Sequence, residues 1–137
     1  MKKYLVIFSI ISIVFSCSPK QNNFIKNPNG SSELALVMNQ MYSDLYHVKP
    51  KIVKSKKIDF QKDYSKILTA TPTDATMKNS TFEPFALALI QNVKALNNST
   101  KANQLEAYKN VVQTCISCHN NSCPGPLMRI ANLEITE

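Results

Sequence analysis

The chain has 137 residues, a single-domain length, and 44% of them are hydrophobic while only 18% are charged. Its 16 Lys and Arg outnumber 9 Asp and Glu, a formal +7. The excess is moderate and lacks interleaved arginine and aromatic residues, so nucleic acid is not an expected partner.

Residues 1–16 read as a signal peptide. Lys2 and Lys3 form a basic start, and an apolar run broken only by Ser9 and Ser12 follows. That run is too short for a permanent spanning helix, which takes roughly 20 residues. It ends Val14-Phe15-Ser16-Cys17, similar to the lipobox of bacterial lipoproteins, in which the cysteine is lipidated and becomes the new N-terminus. The simpler alternative is an ordinary secretory signal with an incidental Cys17; both readings export the protein. Ser18 rather than Asp after Cys17 leans toward the outer membrane, with the domain facing the periplasm. Residues 17–31 are polar and rich in turn formers, as suits a flexible tether. Without the leader, 14 basic residues remain against 9 acidic, a formal +5.

After Gly30 the pattern becomes amphipathic. A first helix is predicted over residues 32–48, where Leu34, Val37, Met38, Met41 and Leu45 recur at three- and four-residue spacing. Pro50 argues against its direct continuation. A run of Lys49, Lys51, Lys54, Lys56 and Lys57 follows; a solvated face is the favoured reading, and steering of an acidic redox partner is the alternative. A second helix is predicted over residues 59–68, with Phe60, Tyr64, Ile67 and Leu68 on one face. A third starts near Ser80, where Ser80 and Glu83 have capping-box spacing and Pro84 lies in the first turn. Its inner stripe is Phe82, Phe85, Ala86, Leu89, Val93 and Leu96. Asn97-Asn98-Ser99-Thr100 ends it. The fourth is predicted over residues 101–121 with Leu105, Tyr108, Val111, Val112 and Cys115 inward, stopped by Pro124-Gly125-Pro126. Strand signals are nearly absent. The expected fold is therefore all-α, an antiparallel four-helix bundle over residues 32–137.

The chemistry concentrates at the end of the fourth helix. Cys115-Ile116-Ser117-Cys118-His119 is a C-x-x-C-H sequence, which reads as covalent attachment of one haem c. At about 100° per residue, the two cysteines and the histidine fall within roughly a 100° arc. Both thiols then reach one porphyrin edge while the imidazole of His119 ligates its iron. A thioredoxin-like redox pair, half a zinc site and a structural disulfide are the competing readings. No βαβ pattern supports the first, and no second ligand pair the second. Cys123, four residues beyond His119, has no obvious partner once Cys17 is assigned to lipid; a buried thiol is favoured over a bond to another chain.

A Met-containing first helix and a C-x-x-C-H sequence at the end of the last resemble the cytochrome c prime and cytochrome c-556 group, over residues 32–123. The resemblance implies a bundle holding haem c near the end of its last helix, with the opposite axial position supplied by the first helix. A methionine there suits electron transfer; an apolar residue leaves five-coordinate iron that binds nitric oxide or carbon monoxide. Met38 is the expected ligand and Met41 the alternative, one turn apart on one stripe. His47 is nine residues beyond Met38, about 180° round the helix, and so points elsewhere. Tyr42 and Tyr108 are candidates for contact with the haem propionates. The expectation is a membrane-anchored electron carrier working with redox partner proteins. Enzymatic activity is not expected, since no distal acid–base pair is apparent. The resemblance leaves a homodimer through the first helices open.

Overall fold

The computed structural model describes residues 31–136, and among them it contains four α-helices and no strand. The leader, Cys17 and nearly all of the tether lie outside the described residues.

Helix α1 spans Glu33–Val53. Ser32 caps it, its hydroxyl accepting from Ala35 N at 3.2 Å, which satisfies one of the helix's unpaired N–H groups. Glu33 in the first turn accepts from the backbone and hydroxyl of Thr71 at 3.0 and 3.1 Å, and these bonds lower its carboxyl pKa. The helix runs through Pro50 and ends a turn later than expected. Proline removes one i to i−4 bond, at the carbonyl of Tyr46. Tyr46 is exposed, while Val48 and Ile52 on the buried side keep the final turn packed. The exit is a Schellman arrangement: Lys56 N donates to Lys51 O and Ser55 N to Ile52 O, at 2.8 and 2.9 Å. Ser55 occupies the left-handed position at φ 48°, where glycine is the usual residue.

The helix expected over residues 59–68 shrinks to one 3-10 turn, Ser65–Leu68. Asp63 accepts from Ser65 N at 2.8 Å, a local bond that competes with helical pairing. Asn97 takes both backbone groups of Lys62, accepting from its N–H at 3.1 Å and donating to its carbonyl at 2.7 Å. Phe60, Tyr64 and Ile67 are still buried, so their spacing met the core without a helix. A second 3-10 turn, Ala75–Met77, is opened by Asp74, which accepts from Thr76 N and Oγ1.

Helix α2 is Phe82–Asn97 and buries Phe82, Ala86, Leu89, Val93 and Leu96, with Phe85 only partly covered. The Ser80–Glu83 capping box does not form. Thr81 is the cap residue, and Asn79 accepts from its N–H and hydroxyl instead. Pro84 falls in the first turn, where a missing N–H costs nothing.

Helix α3, Gln104–Ser122, returns alongside α2 after a short connection, and these two share the most extensive interface. Tyr108, Val111 and Val112 are buried as expected, whereas Leu105 is exposed and Gln104 takes the inner place. Gln104 Nε2 donates to Lys56 O at 2.8 Å, tying the loop after α1 to the start of α3.

The chain turns at Pro124-Gly125-Pro126 into a short fourth helix, α4, Leu127–Ala131, which the sequence pattern does not announce. Burial of Ile130 and Leu133 anchors it. Tyr108 Oη donates to Leu133 O at 3.0 Å and Lys49 Nζ to Asn132 O at 2.8 Å, fastening this segment to α3 and α1.

Candidate functional site

A cavity of about 370 Å³ is lined by the first half of α1 and the last turns of α3, and bordered further by the 75–77 turn, the start of α2, and α4. Cys115, Cys118 and His119 line it from α3, and Met38, Met41 and Tyr42 from α1. The volume falls within the usual range of cofactor sites, roughly 300–1,000 Å³. Most of the lining is apolar, and Arg129 on α4 is the one charged side chain among the described lining residues.

His119 is oriented by the end of its own helix. Helix α3 stops at Ser122, so the Cys123 carbonyl is free to meet the ring, and His119 Nδ1 lies 2.8 Å from it. A carbonyl oxygen only accepts, so Nδ1 is the donor here, and in the neutral imidazole that tautomer leaves the lone pair on Nε2. A histidine held through one nitrogen with the other free is the usual arrangement of a metal-ligating imidazole.

The thiols of Cys115, Cys118 and Cys123 are free and only partly covered as whole residues. Burial of the Cys115 sulfur pushes its thiol up to about 12, and the neighbouring Cys118 adds to the rise. Cys118 is also raised by burial, an effect tempered by the nearby Ser122 hydroxyl, although Ser122 Oγ reaches no partner at hydrogen-bonding geometry. Redox-active C-x-x-C pairs depend on a lowered thiol pKa, the opposite tendency. Among the described residues, no group of three His, Cys, Asp or Glu is arranged to hold a metal ion by itself.

Met41 is buried and Met38 partly covered, and both border the same cavity as the C-x-x-C-H sequence. Met77, from the second 3-10 turn, also reaches it. The sequence reading did not single out Met77, because it stands in an aperiodic loop. Arg129 was missed likewise, since it follows a helix breaker. His47 is exposed on the far side of α1, its Nδ1 2.6 Å from Ser43 O, and does not border the cavity.

Of the two tyrosines considered for propionate contact, Tyr42 lines the cavity and Tyr108 does not. The Tyr108 hydroxyl is occupied by Leu133 O, and burial raises its pKa. Cys123 lines the cavity as the residue after α3 rather than as part of a continuing helical face. Lys51, Lys54, Lys56 and Lys57 are exposed beyond the last turns of α1 or within them. At 1.5 Å per residue, Lys51 is about 20 Å along α1 from Met38. Among the described residues, no helix is long and apolar enough to cross a membrane.

Compared with family models, curated proteins and solved structures, the chain finds no match in any of the three.

Proposed function

We propose that the chain is a mono-haem c-type cytochrome, exported, tethered through Cys17 to a membrane facing the periplasm, and serving electron transfer. One observation supports the reading: Cys115, Cys118 and His119 from α3 line the same mostly apolar cavity as Met38 and Met41 from α1, and His119 Nδ1 is engaged by the Cys123 carbonyl.

The residues fit the group. Cys115 and Cys118 would hold haem c by thioethers, His119 would be one axial ligand, and Met38, with Met41 as alternative, the other. The haem would supply one-electron chemistry; the protein sets its potential, its exposure and its docking. The mostly apolar walls would limit rearrangement on electron exchange. In this reading α1, α2 and α3 are the long members of the bundle, the expected second helix is replaced by the 65–68 turn, and α4 adds Arg129 and Ile130 to the lining of the cavity. The basic run at the end of α1 is distant from the cavity, which favours a solvated face over a docking surface for electron exchange.

The test is to mature the protein with a cytochrome c assembly system and record its spectra. A denaturation-resistant haem, low-spin in both oxidation states, is expected. Haem lost on denaturation would overturn the reading. A high-spin ferrous form that takes up carbon monoxide readily would replace the carrier with a five-coordinate gas-binding protein.

A further inference from the structure

We infer that Arg129 is the carboxylate-recognising group of this cavity, pairing with the acidic edge of an occupant whose body is apolar. Leu34, Met38, Met41, Phe82 and Ile130 are among the residues that wall the cavity; among the described residues no Asp, Glu or Lys lines it, and the one charged side chain is the guanidinium of Arg129. An apolar chamber with one cation at its edge complements a ligand that is greasy over most of its surface and anionic at one end.

The cation is held in place before any ligand arrives. Pro126 starts α4, and Ile130 and Leu133 are buried beneath it. The bonds from Tyr108 to Leu133 O and from Lys49 to Asn132 O fix the segment on α3 and α1. Arg129 then reaches across to α1, where one guanidinium nitrogen donates to Asn39 Oδ1 at 2.6 Å. The guanidinium also stacks 4.0 Å over the Tyr42 ring, which itself lies against Tyr46. Guanidinium carries five N–H donors in a planar fork, so a bond to Asn39 leaves donors for a carboxylate. Stacking on tyrosine costs none of them. Tyr42 and Asn39 border the cavity as well, which places polar groups beside Arg129 in a mostly apolar space.

Two sources share this chemistry: the propionates of an attached haem, and the head of a free long-chain carboxylate. The first rests on the function proposed above; the charge complementarity does not. In the first case Arg129 also raises the reduction potential, because a nearby cation favours the iron state carrying one less positive charge.

The experiment compares the wild-type protein with Arg129→Gln and Arg129→Lys, all matured with a cytochrome c assembly system. Haem retention after denaturation is read first and decides the proposed function alone. If haem is retained, Arg129→Gln lowers the potential, by more at low than at high ionic strength, while Arg129→Lys stays close to wild type. Equal melting temperatures would exclude a merely structural effect. Potentials of Arg129→Gln that match wild type at both ionic strengths would overturn the inference. If no haem is retained, the haem-free proteins are titrated with a fluorescent polyene fatty acid and with its methyl ester. The acid then binds the wild type about tenfold more tightly than Arg129→Gln, and the ester binds both alike. Absence of acid binding, or an equal loss for acid and ester, would overturn the inference.

Discussion

Replacing Tyr108 by phenylalanine removes one oxygen from the middle of the structure and tests how the C-terminal segment is held. Tyr108 is 0% exposed and Leu133, whose carbonyl it bonds at 3.0 Å, is 1% exposed. Water therefore has no easy path to the abandoned carbonyl. Leaving one buried acceptor unpaired costs about 1–3 kcal/mol. In a folded domain of about 100 residues, each kcal/mol moves the melting temperature by roughly 4–8 °C. Tyr108→Phe is thus expected to melt about 5–20 °C below wild type by far-UV circular dichroism. Tyr46→Phe on the exposed face of α1 is the control and changes stability by no more than about 0.5 kcal/mol. Because Leu133 sits two residues after α4, the same variant also loosens the segment that carries Arg129. Amide exchange in residues 127–133 accelerates in Tyr108→Phe relative to the α2–α3 hairpin. A melting temperature within about 2 °C of wild type would refute the reasoning that this bond fastens α4.

Ser55→Gly relieves the left-handed strain at the end of α1 and stabilises the protein by about 0.5–1 kcal/mol in urea unfolding, less than the full strain because glycine also loosens the unfolded chain. Ser55→Val shifts the midpoint the opposite way. Alkaline pH is expected to destabilise the protein through Tyr64 and Tyr108. Burial chiefly raises the Tyr64 hydroxyl, with its bond to Asp44 adding to this, and burial raises Tyr108. A raised folded pKa contributes stability that is complete below the unfolded value, about 10. It is lost as pH climbs from there toward the folded values. Melting temperature accordingly falls above pH 10, and Tyr64→Phe shows a shallower fall; parallel slopes would contradict this. If the proposed haem is attached, Met38→Ala is expected to abolish the Met-to-iron charge-transfer band, while Met41→Ala and Met77→Ala, at the other methionines lining the cavity, keep it. Loss of the band in Met77→Ala alone would move the ligand to the 75–77 turn.

The amphipathic stripes of α1, α2 and α3 were readable because helical spacing and burial coincide there: Leu34, Met41 and Leu45, then Phe82, Ala86, Leu89, Val93 and Leu96, then Tyr108, Val111 and Val112. The same spacing misled at Phe60, Tyr64 and Ile67. These are buried, but Asp63 and Asn97 offer the backbone bonds that outcompete a helix there. Periodicity reports which side chains face the core, and only indirectly how the backbone between them is paired. At the site, the C-x-x-C-H sequence was legible from its spacing, whereas the α1 methionines stood out from ordinary core residues only through the family resemblance; the fold brings both to one cavity. Met77 and Arg129 were not legible. Each reaches the cavity through a loop or a chain reversal, and its placement depends on long-range contacts such as Leu34 N to Thr71 O and Tyr108 to Leu133 O. The orientation of His119 was hidden for another reason: it depends on the helix stopping at Ser122, so that Cys123 presents a carbonyl rather than another helical turn.

The central claim is covalent haem at Cys115 and Cys118 with His119 on its iron. The most direct measurement is the intact mass of the matured protein after denaturation, read beside the same protein as Cys115→Ala/Cys118→Ala. The wild-type chain is expected to carry the mass of one haem, and the double variant none. A wild-type chain of bare polypeptide mass, matured alongside a control cytochrome that does acquire its haem, would contradict the account.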